Sequence, residues 1–196
     1  SEYNQMKQLK KFISLVKFLD IDFIWSDGIE KGHVTAMWNR AFEYAYKDGC
    51  EYFYQAGDDV CIMDKNWEYV FIEALGKMNN LGVVGPFDYG RFLYEEENNV
   101  KQKFLLTQSF VSRLHYEIFG FYFDPAIKNW FCDDWITKIY YPNNFYKLEH
   151  FLFNRGGNPR YVISGKVSDD DPVKKKCDEL ILRDKEKLIN FIESQN

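Results

Sequence analysis

Two adjacent carboxylates, Asp58 and Asp59, follow a stretch that is typical of a buried strand. The residues from Glu51 to Ala56 are mainly aromatic and apolar. In open α/β sheets, the carboxyl ends of the strands line the ligand sites. Two like charges so close together repel each other, and a divalent cation with oxygen ligands offsets that repulsion. The pair therefore predicts a site for a hard metal ion, with a solvated turn or a helix cap as the alternatives.

A second acidic pair, Asp133 and Asp134, lies among the aromatic residues Trp130, Phe131 and Trp135. Aromatic surroundings desolvate a carboxylate and raise its pKa, as a general base requires. The alternative is helix capping, because carboxylates are favourable in the first turn of a helix.

Two further features could serve an anionic, metal-bound ligand. His150 carries an imidazole, which is a common metal ligand, although an isolated histidine is equally compatible with a surface or core position. Residues 154–160 form a glycine- and proline-containing segment that carries Arg155 and Arg160. Their guanidinium groups suit a phosphate contact, whereas an ordinary turn explains the glycines and the proline.

The elements that must position these groups alternate between helix and strand. Hydrophobic periodicity and turn residues predict helices over 3–19, 35–47 with Thr35 as the cap, 67–78, 113–119, 133–140 and 168–196, and strands over 21–25, 52–56, 82–86, 104–111 and 160–164. Residues 88–103 are predicted to be an exposed loop. Because strand, helix and strand alternate between 21 and 56, we expect an α/β domain with a mainly parallel central sheet flanked by helices. The first strand arrives only after a helix, so an opening strand is expected to be missing.

Composition narrows the functional class. A chain of 196 residues fits one domain, and a formal net charge of -5 argues against a general nucleic-acid binder. The four cysteines are far apart in the sequence, which argues against a thiolate zinc site and favours reduced thiols in the cytoplasm. We find no signal peptide and no membrane span in the sequence.

An ordered series of motifs resembles the GT-A glycosyltransferases. It consists of Gly32-His33 through Asn39-Arg40, Gly49 to Phe53, Gly57-Asp58-Asp59-Val60, Thr107 to Val111, Ile118-Phe119-Gly120 and Asn129 to Tyr140. The series covers roughly residues 31–164. It is most similar to the small glycosyltransferases of large DNA viruses of algae, and more distantly to the fringe-type transferases.

The resemblance implies a GT-A fold and a role for each matching residue. Asp59 and His150 would ligate Mn2+ or Mg2+, while Asp58, Asn39 and Arg155 would contact a nucleotide-sugar donor, with a UDP-sugar expected. Gly57 stands where many relatives carry the first acid of the metal-binding motif.

The same resemblance implies the reaction. Asp134 would be the catalytic base, with Asp133 as the second candidate, and would deprotonate a hydroxyl of a glycan or glycoprotein acceptor with inversion at the sugar. Two alternatives from other classes remain at this stage. One is a metal-dependent phosphoesterase, and the other is a catalytically inert sugar-binding module with the same fold.

Overall fold

The computed structural model describes residues 7, 10, 11, 13, 14, 19–97, 104–154 and 171–195. Within them the order of elements is α1 (Val34–Lys47), β1 (Tyr52–Gln55), β2 (Val60–Ile62), α2 (Trp67–Gly76), β3 (Val83–Asp88), α3 (Tyr89–Glu97), β4 (Ser109–Ser112), α4 (Leu114–Phe119), α5 (Cys132–Tyr140), β5 (Phe145–Asn154) and α6 (Pro172–Ser194). The predicted helix over 3–19 and the predicted strand over 160–164 lie largely or wholly outside the described residues. Across the described ranges, every helix is too short or too polar to cross a lipid bilayer.

The five strands form one sheet in the order β1-β4-β3-β5-β2. The α/β class is confirmed, but the sheet is mixed, whereas the sequence predicted a mainly parallel one. Among the strands that the structure describes, only β3 and β5 pair in parallel, and the other three pairings are antiparallel. The reason is that β4 inserts between β1 and β3, so the strands β1, β3 and β5 share a direction without all being neighbours.

Alternating side chains on the strands reach a different layer on each face of the sheet. Val83 belongs to the larger core with Phe42 of α1, Trp135 of α5 and Leu180 of α6. Its neighbour Val84 belongs to the second core, which includes Phe71, Leu75, Phe110 and Leu148. Helices α1, α4, α5 and α6 therefore cover one face, and α2 covers the other.

Several element predictions are confirmed with shifted ends, two are wrong, and one is confirmed only in part. Residues 21–25 form no strand, because this segment runs outside the sheet along α1, where Arg40 Nη1 donates to the carbonyl of Trp25 (2.6 Å) and the Tyr44 hydroxyl donates to Asp22 (2.9 Å). The predicted loop over 88–103 contains α3, and the predicted strand over 104–111 is reduced to β4.

Thr35 is not the cap of α1, because the helix begins after His33. The Thr35 hydroxyl is fully buried and donates to the carbonyl of Ile127 instead. The backbone N–H of Thr35 donates to the carbonyl of Lys128 (3.3 Å). These bonds fasten the start of α1 to the segment that leads into α5.

The C-terminal helix α6 is held by a buried charge network. Asp184 is fully buried and accepts hydrogen bonds from Trp135 Nε1 (3.1 Å) and from Arg183, whose Nη2 atom also contacts the buried Asp124. Lys187 lies 3.2 Å from Asp184. The network ties α6 to α5 and to the segment between α4 and α5.

Candidate functional site

The turn that carries Asp58 and Asp59 crosses the carboxyl edge of the sheet. It joins β1 and β2, which occupy the two outermost positions. In a flat sheet, four strand spacings would separate them by about 19 Å. Five residue steps from Gln55 to Val60 reach at most about 18 Å. The sheet must therefore curl, and the turn passes over the ends of the strands between β1 and β2.

Hydrogen bonds locate this turn beside the start of β4. Gly57 N–H donates to Gln108 Oε1 (3.3 Å), and Val60 N–H points to the Gly57 carbonyl (3.5 Å). A Cβ atom at position 57 would lie only 2.7 Å from Asp59 Oδ1. The Asp59 carboxylate thus folds back over Gly57, and any side chain at this position would have to displace it.

A third carboxylate, Asp88, lies at the same edge at the end of β3. It is 6% exposed, and it accepts hydrogen bonds from the Thr107 hydroxyl (2.8 Å) and the Gly90 N–H (3.0 Å). Desolvation, with a smaller contribution from the charge of Asp88, raises the pKa of the Tyr54 hydroxyl on β1. The sequence prediction missed Asp88, although a carboxylate at the end of an apolar run was the available signal.

The second acidic pair also lies at the carboxyl edge. Helix α5 leads into β5, whose first residue Phe145 pairs with Val83 at the amino end of β3. The start of α5, with Asp133 and Asp134, is therefore at the opposite edge. From this connection we infer that both predicted acidic pairs lie at the same edge of the sheet.

The two carboxylates of this pair differ in their contacts. Asp134 Oδ1 forms an ion pair with Lys138 Nζ (2.7 Å) one turn along α5, and both side chains are 26% exposed. Asp133 Oδ1 accepts the backbone N–H of Asp134 (3.1 Å). Burial, with a contribution from Asp133, raises the pKa of the neighbouring Cys132 thiol, which disfavours thiolate chemistry there.

The backbone of His150 lies in an irregular part of β5. Pro86 pairs with Leu148 and Phe87 pairs with Phe151, so Glu149 and His150 have no partners on β3. Such bulges often adjoin functional sites. The structure describes the backbone of His150 but not its side chain.

The strand register relates His150 to the acidic turn. Val60 pairs with Asn154, four residues beyond His150, and at about 3.3 Å per residue these levels are about 13 Å apart along β5. Asp64, two residues beyond the Ile62–Leu152 pair, follows β2 towards the level of His150. Among the described side chains, no three His, Cys, Asp or Glu residues converge to hold a metal ion by themselves.

Two other residues, Asn39 and Arg155, were also predicted to contact the nucleotide-sugar. Arg155 is outside the described residues. The Asn39 side chain accepts the N–H groups of Tyr122 (3.0 Å) and Phe123 (2.8 Å) and donates to the Phe123 carbonyl (2.8 Å). These bonds give Asn39 a structural role, while its predicted contact with a nucleotide-sugar stays a prediction.

One further histidine, His115, has a structural role in the core. His115 is 1% exposed. Its Nε2–H donates to the Tyr122 carbonyl (2.9 Å), so Nδ1 is left to accept from the Tyr140 hydroxyl (2.8 Å). Burial lowers the pKa of His115 to about 4.

Comparisons with known proteins found no matching family model, no matching curated protein and no matching solved structure. The class of the molecule therefore rests on its own architecture. It is an α/β domain with a curled, mixed sheet whose carboxyl edge collects aspartates from three chain segments.

Proposed function

We propose that this protein is a GT-A-type glycosyltransferase that moves a sugar from a nucleotide-sugar, with a UDP-sugar expected, to a hydroxyl of a glycan or glycoprotein. The observation that carries the proposal is the gathering of acids at one edge of the sheet, from the turn after β1, the end of β3 and the start of α5. The motif series between residues 31 and 164 supports the same reading.

A divalent cation fits the chemistry of this edge. Hard cations select oxygen ligands and accept phosphate oxygens and water beside a few protein groups. Asp59 would hold Mn2+ or Mg2+, and the motif series adds His150. When bound, the ion would stabilise negative charge on a diphosphate leaving group.

The chain's own residues have the remaining tasks. Asp58 would contact the donor's ribose or sugar beside the turn. Asp134 would take the proton of the acceptor hydroxyl, with Asp133 as the second candidate. In Asp134 the adjacent Lys138 ammonium balances the carboxylate charge. Attack from the side of the base gives inversion at the sugar carbon.

Calorimetry with UDP-sugars, with and without Mn2+, tests the donor site. We expect Mn2+-dependent binding in the wild type and at least a tenfold weaker affinity in Asp59→Asn. Asp48→Asn is the matched control, because Asp48 ends α1 at the opposite edge of the sheet. An affinity in Asp59→Asn equal to that of the wild type would contradict the assignment of the metal ligand, and Asp64→Asn shows whether that carboxylate contributes instead.

Transfer assays test the base. We expect Asp134→Asn to bind the donor normally and to lose about 100-fold or more in transfer rate, the usual range for a general base. If the transfer rate fell in Asp133→Asn but not in Asp134→Asn, Asp133 would be the base. Turnover of simple phosphate esters would favour a phosphoesterase, and sugar binding without nucleotide binding would favour an inert module.

A further inference from the structure

A cavity lies along one side of α1. Its volume is about 340 Å³. This is at the lower end of the roughly 300–1,000 Å³ range of small-molecule sites. One wall carries His33, which precedes α1, with Arg40 and Glu43 of α1, and the other carries Gly120, Phe121 and Pro125. We refer to it as the α1 pocket.

His33, which lines the α1 pocket, has a side-chain nitrogen without a hydrogen-bond partner among the residues that the structure describes. His33 Nε2 is buried, and within the described residues it is the one buried side-chain nitrogen or oxygen without a hydrogen-bond partner. Buried polar atoms in native structures are nearly always paired with protein, water or ligand. An imidazole nitrogen can donate to or accept from a hydroxyl group.

The charges of the α1 pocket favour a neutral ligand. Arg40 Nη1 donates to the carbonyls of Trp25 (2.6 Å) and Asp27 (3.0 Å), and Arg40 has no ion pair in the described part of the chain. Its positive charge disfavours a cation. Glu43, one turn further along α1, disfavours a phosphate or another anion, although Lys47 balances part of its charge.

The opposite wall adds an apolar surface. The Phe121 ring is half-buried and packs against Trp135 with 5.8 Å between ring centroids. Because an aromatic ring provides an apolar face, it complements the C–H face of a sugar, while carboxylate, guanidinium and imidazole groups bind its hydroxyls. A pyranose combines these two surfaces, and the volume suits one or two rings.

We propose that the α1 pocket binds a pyranose of the acceptor glycan, an inference that rests on the proposed glycosyltransferase function. His33 precedes the end of α1 that lies at the carboxyl edge, because the other end of α1 leads into the start of β1. Pro125 precedes Asp133 by eight residues in the same connection. A glycan held in the α1 pocket is thereby anchored near the segment that carries the proposed base.

NMR spectroscopy of the histidine side chains tests the site directly. The chain has only three histidines, so the His33 imidazole signals are assignable from single variants. Methyl pyranosides and short oligosaccharides are titrated without donor or metal, and inorganic phosphate is the comparison probe. We expect saturable shifts of His33 with at least one sugar, no shift of the core residue His115, and no comparable response to phosphate.

Two variants and a matched control link the binding to the pocket. Arg40→Gln and Glu43→Gln should each weaken sugar binding at least tenfold and raise the acceptor KM without changing donor hydrolysis. Glu73→Gln should change neither, since Glu73 forms the same type of helical ion pair, with Lys77, on α2. Urea unfolding of each variant confirms that it is folded.

The outcomes separate this inference from the function on which it rests. Sugar-dependent shifts of His33 without any nucleotide-sugar binding would support the pocket and contradict the transferase. Donor hydrolysis without sugar-dependent shifts, or with phosphate as the preferred probe, would overturn the pocket alone. Sugar binding that survives both pocket variants would also overturn it.

Discussion

His115 should make the stability of this fold sensitive to acid. The imidazole is enclosed by the core, and both ring nitrogens are engaged by Tyr122 and Tyr140. The pairing with a backbone carbonyl requires a proton on Nε2, so the ring accepts the Tyr140 hydroxyl bond in its neutral form. Adding a second proton would break that bond and bury a charge. The neutral form is therefore favoured by folding.

The magnitude follows from the shift of the His115 pKa. It falls from the ordinary value of 6.5 to about 4 in the folded protein. The unfolded chain thus binds more protons between these values, and stability is lost as the pH falls below about 6.5. Linkage gives a loss of about 2 kcal/mol at pH 5 and about 3 kcal/mol at pH 4 from this group alone.

Urea unfolding between pH 7 and 4 measures this contribution. Carboxylates titrate in the same range, so the useful quantity is the difference between the wild type and His115→Gln, which keeps an N–H donor but does not titrate. The stability advantage of the wild type over His115→Gln should shrink by about 2 kcal/mol between pH 7 and pH 5.

A second variant controls for the loss of the hydrogen bond itself. Tyr140→Phe removes the partner of Nδ1 but leaves the buried imidazole, so it should be less stable and still acid-sensitive through His115. An advantage of the wild type over His115→Gln that stays constant within about 0.5 kcal/mol from pH 7 to 5 would refute the reasoning.

Two further predictions concern structural contacts. Asp184→Ala should lower the free energy of unfolding by about 3 kcal/mol, because it leaves Trp135 N–H unpaired in the core and releases Arg183. Urea titration measures this loss. If the double variant Trp135→Phe/Asp184→Ala lost as much stability as the two single variants added together, the proposed coupling between Trp135 and Asp184 would be wrong. Asn39→Ala should cost about 2 kcal/mol in the absence of any ligand, since it removes three bonds to the backbone around Phe123. Unchanged stability with impaired donor binding would assign Asn39 to the ligand instead.

Much of the local structure could be read from the sequence. Helix α1 has its apolar residues at helical spacing and ends at Asp48-Gly49, where Gly49 has a φ of 93°. Strand β1 is a mainly aromatic run that ends at Gln55, two residues before Gly57. These signals lie within ten or so neighbouring residues, so they were accessible without knowledge of the fold.

Other elements depend on partners that are distant in the chain. Strand β2 has three residues and exists because β5 pairs with it. The run over 21–25 has a strand-like pattern but lies on α1, since no edge of the described sheet receives it. Pairing energy, rather than local propensity, decided both cases.

By itself, the sequence determined which residues are acidic, roughly where most of the helices lie, and that the chain folds as an α/β domain. Tertiary structure alone decided that β4 would separate β1 from β3, and that a four-residue turn would carry Asp58 and Asp59 across the ends of the strands. It also decided that Asp88 would lie at the same edge and that His33 would line a cavity. These outcomes depend on the order of strands in the sheet and on which helix faces are covered, and such long-range packing leaves no periodic pattern in the sequence.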